Sequence, residues 1–590
     1  MPRPILSSCK DIPDRGMTVL KSISVSIVMM MTALLMAACQ TVSVDTAATE
    51  RGVKDEPVIT TEQAPRAKSP LASYLVGRYA IKENDVPLAA EEFAATLAGH
   101  PLNTRLMQLS FSTFYINGDV DNAAVLAGQL EARGENVTFG SEPSLILAIE
   151  ARDYAGMAVL ADHIAADEVT RPLGIIAGSW ALILQDQGDA GLTRISELTS
   201  VDDRGKAITP FVVYSQSALM NEYLGRPDDA IASAVMAIDH PDTNIAVIMN
   251  MAGVLARLGY GDQARDILDE NLNQIFHKTD ILAKLADGTS PLLMRPDMDS
   301  LLAEAIYEAS FVSREGRISS AARLFMASRL AETNSRINYA IGLYYQDLDQ
   351  FDNTMRYFDR IPENSLWNQP RLFLTAQYLS YDGEDQTKAK QLFDDLVAAN
   401  PSSSSIWQQS AHAARRRGDH QFALDAYDKA IALSPNIARL HYSKAIVLDQ
   451  LEQKEETEAA LRHSLKLNPD NAYALNYLGY WLLEEGGDVE EALGFIRKAI
   501  EKQPQNGYFM DSLGWGYYRL GQYRQAVLYL ERAVTLEPQD PIITDHLGDA
   551  YALMRREREA RYQWERALKF DPDDDLKGQI IDKLKNGLNP

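Results

Sequence analysis

Six prolines in the last third of the chain, Pro401, Pro435, Pro469, Pro504, Pro538 and Pro572, are spaced 34, 34, 35, 34 and 34 residues apart. So regular a period points to one small unit stacked repeatedly on itself rather than to a string of unrelated domains. Counting each unit from three residues after its proline gives 404–437, 438–471, 472–506, 507–540 and 541–574; the extra residue of the third falls in EEGGDVEEA, a turn. The fourth unit runs through Leu513, Gly514, Tyr517, Gly521, Ala526, Ala533 and Pro538. The fifth repeats this with Leu547, Gly548, Tyr551, Ala560, Trp564, Ala567 and Pro572, and the first carries Trp407, Gly418, Ala423, Tyr427, Ala430 and Pro435. Such a unit reads as two antiparallel helices. Gly514 and Ala526 are small where the helices cross, Tyr517 and Leu530 fill the flanks, Gly521 suits the turn, and Pro538 helps to end the second helix.

These positions resemble the tetratricopeptide repeat (TPR), which implies an all-α fold: a superhelical solenoid of antiparallel helix pairs. Five regular units are expected over 404–574, divergent TPR-like repeats over 70–403, and a capping helix over 575–590 that covers the last apolar face. Unit 438–471 departs from the pattern, with Lys444, Thr457 and Ser464 where Leu, Ala and Ala are expected. Upstream the register persists at Gly77, Ala89, Phe93 and Pro101, at Gly118 and Ala123, and at Gly225/Ala230 and Gly259/Ala264. It continues at Gly316, Ala321 and Phe325, then at Ala389, Phe393 and Pro401. Stretches 138–205 and 270–300 resist it; the first reads as divergent helical pairs and the second as an irregular joint.

The other end of the chain is organised differently. Ile23 to Ala38 is apolar or small and uncharged, preceded by Lys10, Arg15 and Lys21, which is the layout of an export signal. Its core of about sixteen residues is shorter than the ~20 needed to span a bilayer. Met36, Ala37 and Ala38 before Cys39 resemble the lipobox of bacterial lipoproteins, with Met where Leu is usual. That resemblance implies a signal peptide over 1–38, lipidation at Cys39, and, with Gln40 rather than Asp following, residence at the outer membrane facing the periplasm. An uncleaved anchor with Cys39 as a small buried hydrophobe is the other reading; both export everything after residue 40. Residues 1–16 make an odd leader, and Met17 offers an internal start that would remove Cys9. Residues 39–69 have scattered charge and no sustained apolar period, and read as a flexible tether.

The formal net charge is −25, and residues 1–39 carry more basic than acidic side chains, so the remainder is more acidic still. This disfavours general binding to nucleic acid or anionic lipid while leaving room for a local basic patch. Two cysteines exclude a disulfide framework or a thiolate metal cluster. There is no HExxH, GxSxG or phosphate-binding GK[ST] loop, so no catalytic residue, cofactor or small-molecule substrate is expected. The nine histidines lack ligand spacing; they read as helix-surface residues, and no metal is expected.

What remains is surface. In TPR arrays the first helix of each unit lines a groove, and the resemblance places there Tyr442, Tyr473, Asn476, Tyr477, Tyr480, Tyr508, Asp511, Trp515, Tyr518, Asp545 and Asp549. Gln408, Gln409, His412, Arg415 and Arg416 stand at its N-terminal edge. Tyrosine and tryptophan bury large area with little rotamer entropy, so this set suits an extended protein segment; individual rings equally suit packing between helices. The Lys/Asn set with which carboxylate-clamp TPRs hold chaperone tails is largely missing. Lipobox, tether and long repeat array together resemble large outer-membrane TPR lipoproteins, some of which are adaptors bringing cell-wall hydrolases to a periplasmic C-terminal processing protease. The resemblance implies a non-enzymatic scaffold for envelope proteins. An assembly factor for an outer-membrane secretion, pilus or polysaccharide-export machine is the alternative.

Overall fold

The computed structural model describes residues 69–201, 207–272, 278–312, 317–382 and 385–588, so the expected signal peptide, Cys39 and all but the last residue of the expected tether lie outside the described residues. Among these there are thirty α-helices, mostly in antiparallel pairs. Besides three short 3₁₀ turns there is a two-residue ladder, Ser200 opposite Ile208 and Val201 opposite Ala207. The chain forms two compact units that divide between Thr375 and Ala376. Repeat regularity instead changes at 403/404: compactness follows which helices share a core, and the pair Asn368–Asp382 and Gln386–Ala399 largely joins the regular block.

In the C-terminal unit each repeat begins the same way. Two residues after its proline stands a capping side chain, Ser403, Asn471, Asn506 or Asp540, which accepts a backbone N–H of the first helical turn. Ile437 holds this place before Ala438–Gln450 and cannot cap. Helix pairs Ser404–Arg416/His420–Leu433, Ala438–Gln450/Lys454–Leu467, Ala472–Glu484/Val489–Lys502, Gly507–Arg519/Tyr523–Leu536 and Pro541–Leu553/Glu557–Ala567 follow. The turn after Glu484 is one residue longer than the others, which absorbs the extra residue of that unit. Gly521 turns the fourth pair at φ +70°, a conformation L side chains rarely adopt. Small residues close the crossings: a Cβ on Gly514 would lie 2.6 Å from Leu530, and Ala526 is fully buried. In the divergent second unit, buried Thr457 and Ser464 donate their hydroxyls to the carbonyls of Gln453 and Ala438 and so fill alanine sites without an orphaned polar atom. The apolar cores here are short clusters shared between neighbouring repeats, as nearest-neighbour stacking requires.

The N-terminal unit is built on the same hairpins but not on nearest neighbours alone. Stretch 138–205 holds the pairs Ser141–Glu150/Tyr154–Ala166 and Arg171–Leu184/Gly188–Ile195; around 270–300 there is a lone helix, Lys278–Ala286, and a 3₁₀ turn, Pro291–Leu293. The pair Met298–Val312/Arg317–Leu330 then packs back onto Thr104–Asn117, Ser141–Glu150, Arg171–Leu184 and Phe211–Tyr223, giving one continuous core from Ala80 to Leu366. Gly118, at φ +72°, makes room for Phe325: a Cβ there would stand 2.4 Å from it. The return is polar as well as apolar. Arg323 pairs with Glu142, Arg329 with Asp121 and Glu150, Arg152 with Asp299, and Ser215 and Gln216 donate to Glu308.

Candidate functional site

The first helices of the C-terminal repeats carry the sequence-derived groove residues, and the structure divides them into a packed set and an accessible set. Tyr442, Tyr477, Tyr480, Asp511, Asp545 and Asp549 are buried. Tyr477 donates to Asp449 at 3.1 Å, as does the indole of Trp481, and the Tyr442 ring stands edge-on to Tyr477. Burial, then the nearby Glu484 and Asp511 charges, hold the Tyr480 phenol well above its ordinary value. These rings join one repeat to the next. Tyr473, Asn476, Trp515 and Tyr518 are half-buried and Tyr508 is exposed.

The accessible set centres on Trp515. Its ring stacks between Tyr518, with centroids 4.6 Å apart, and His546 of the next repeat at 4.3 Å, while its N–H donates to Glu484 at 2.8 Å. His546 in turn sits 2.9 Å from Asp511. The expectation of a surface histidine therefore fails here. His546 is buried, because its ring lies under Trp515 and its Nδ1 is held by a buried carboxylate. At the N-terminal edge, burial and then Arg415, Arg416 and Arg439 lower His412 to about 3; Arg416 itself bonds Ser380 and lies 3.8 Å over the Tyr381 ring.

His546 belongs to a buried cluster in which the carboxylates of Asp511, Asp545 and Asp549 face Lys583 and the His546 imidazole. Lys583, from the helix Asp574–Asn586, donates to Asp545 at 2.6 Å and to Asp549 at 2.8 Å, and Trp564 donates to the other Asp549 oxygen. Burial disfavours the charged imidazole of His546, but Asp511, with Asp545 and Asp549 behind it, outweighs burial and raises its pKa. Burial and the Asp545 charge push Asp549 up to about 7 against the pull of Lys583. One ammonium shared by two carboxylates leaves the cluster short of positive charge, so a proton near neutrality is the expected response. Oδ1 of Asn476 and Oδ1 of Asp545 are buried without a hydrogen-bond partner among the described residues.

Spacing alone does not single out Lys583, His546, Glu484, Asp449 and Trp481 as site residues. For Lys583 a signal exists: it stands 34 residues after Asp549, so the final helix keeps the repeat's register as well as covering its end. Leu576 and Ile580 bury against the last pair. Among the described residues no group of three His, Cys, Asp or Glu is placed to hold a metal, and no helix is long and apolar enough to cross a membrane.

A family profile described as Tetratricopeptide repeat matches residues 442–507 and 512–575. No curated protein sequence matches significantly. Similar solved structures include the APC/C hetero-tetramer Cut9-Hcn1, at 15% identity over 89% of this chain and 97% of that one, with TM-score 0.36. YrrB, described as a TPR protein with an unusual peptide-binding site, shows 19% identity over 32% and 97%, with TM-score 0.26. A thermophilic TPR protein of Thermus thermophilus shows 22% over 31% and 100%, with TM-score 0.29. Repeats of this kind mediate contacts between proteins. The tetratricopeptide repeat is therefore matched over residues 442–507 and 512–575, within a chain whose described residues fold as antiparallel helix pairs.

Proposed function

We propose that this protein is a lipid-anchored periplasmic scaffold, held at the outer membrane through Cys39, that binds other envelope proteins on the first-helix face of its C-terminal repeats. The observation that carries the binding site is the Tyr518–Trp515–His546 stack, with half-buried Trp515 and Tyr518 presenting their rings on that face. Rigid stacked rings with polar edges suit capture of an extended segment. The N-terminal unit offers less, because its own helices Met298–Val312 and Arg317–Leu330 pack across several of its repeats. Support for export and anchoring is LLMAACQT, with its apolar run and terminal cysteine.

The finer reading is an adaptor that brings cell-wall hydrolases to a C-terminal processing protease. Affinity capture from solubilised membranes, compared between the native protein and a Tyr508→Ala/Trp515→Ala/Tyr518→Ala variant, tests it. Protease and hydrolase recovered with the native chain and lost with the variant are expected. Secretin or pilus subunits in their place would assign the protein to an assembly machine. Equal capture by both chains would place the binding face elsewhere.

A further inference from the structure

The first helix of the array, Pro70–Lys82, has no preceding helix among the described residues to cover it, and it uses its two faces very differently. Ser73, Gly77, Ala80 and Ile81 are buried, with Gly77 against the Phe93 ring of the following helix. On the opposite face Leu71, Leu75 and Tyr79 are 67%, 59% and 61% exposed, and Lys82 ends the same stripe. The spacing i, i+4, i+8, i+11 keeps all four on one side of the helix. Large apolar side chains so open, in a row, mark a surface that something covers.

Charge says what that something is. Between Glu62 and Glu83 the chain carries Arg66, Lys68, Arg78 and Lys82 and no carboxylate, in a protein whose net charge is −25. A cationic apolar stripe is complementary to an anionic lipid surface, which presents negative headgroups over acyl chains; a second acidic copy would match the charge alone and is an outcome the test separates. The helix has the composition of an interfacial helix: Leu and Tyr in the acyl boundary, Lys and Arg among the headgroups. We propose that Pro70–Lys82 docks onto an anionic membrane surface through Leu71, Leu75 and Tyr79, setting the first repeat against the bilayer. This rests on the helix itself and holds whether or not Cys39 is lipidated.

The test is flotation of residues 40–590, which carry every described element but neither the apolar leader nor Cys39. Vesicles of phosphatidylcholine alone are compared with vesicles containing about 30% phosphatidylglycerol. The native chain is expected to float with the anionic vesicles at least about fivefold more than with the neutral ones, and to be released by about 0.5 M salt. A Leu71→Ser/Leu75→Ser/Tyr79→Ser variant should lose flotation with unchanged helicity and melting, since these side chains are already exposed. Lys82→Glu, which leaves the stripe apolar, should weaken flotation selectively on anionic vesicles. Flotation of the triple variant equal to native, or absence of native flotation, overturns the proposal. So does a native dimer in sedimentation velocity that the triple variant dissociates, since a second copy would then be the occupant. Failure here leaves partner capture through Trp515 untouched, and the two readings are separately decided.

Discussion

Arg323 and Glu142, 181 residues apart in sequence, form a completely buried ion pair at 2.7 Å, with the Tyr115 hydroxyl donating to the same carboxylate. Removing one member strands the other charge in a low-dielectric core. Arg323→Ala should therefore cost about 3–5 kcal/mol. An Arg323→Met/Glu142→Leu pair should recover most of that loss, since apolar replacement of both partners removes the desolvation penalty with the attraction. Denaturant unfolding of the three chains checks this; equal loss in the single and double variants would mean the pair specifies packing rather than balancing charge.

The Asp549 cluster makes the C-terminal repeats sensitive to pH. Its carboxyl is pushed up to about 7 in the fold from an ordinary value of 3.8, so between those values the folded state binds more protons than the unfolded chain. Stability from this group is present at low pH and is lost as pH rises through about 7; His546, also raised, acts in the same sense. The unit should be about 1 kcal/mol less stable at pH 8 than at pH 6, a shift of roughly 2–4 °C in melting temperature. Hydrogen exchange over 541–586 locates it, and Asp549→Asn should flatten the dependence.

The second half of the chain is legible in its sequence because its stabilising contacts are local. Pro469 and Asn471, Gly514 and Ala526, or Gly548 and Trp564 belong to one repeat or two neighbours, and a fixed period exposes them. The pairing of Arg323 with Glu142 is not legible, since return of one hairpin onto distant repeats leaves no trace in spacing. The groove shows the same division. Which residues share its face follows from register, but whether a tyrosine there is an anchor or a strut depends on partners such as Asp449, to which buried Tyr477 donates. Lys583 escapes notice because a terminal helix reads as a lid, although its register matches.

Crossings between paired helices carry the next prediction. Ala526 is fully buried facing the helix that bears Gly514, and Leu530 already fills the space against that glycine. Ala526→Leu should overpack the crossing and cost about 1–3 kcal/mol. The loss should be confined to the fourth repeat and its neighbours, as exchange rates by repeat would show.

Trp515 and Tyr477 separate binding from stability. The Trp515 ring is half-buried, stacked on Tyr518 and His546, and Glu484 keeps Arg519 at 3.5 Å when the indole is removed. Trp515→Ala should therefore cost no more than about 1 kcal/mol of folding while weakening partner capture by about 2 kcal/mol or more, roughly thirtyfold. Tyr477→Ala opens a cavity between two repeats and takes a hydrogen bond from buried Asp449, so it should cost about 3 kcal/mol of stability whatever it does to binding. Melting curves and binding isotherms on the two variants give the comparison. If Trp515→Ala destabilises as much as Tyr477→Ala, the stack is a strut like the rings before it, and the binding face must be sought outside the fourth repeat.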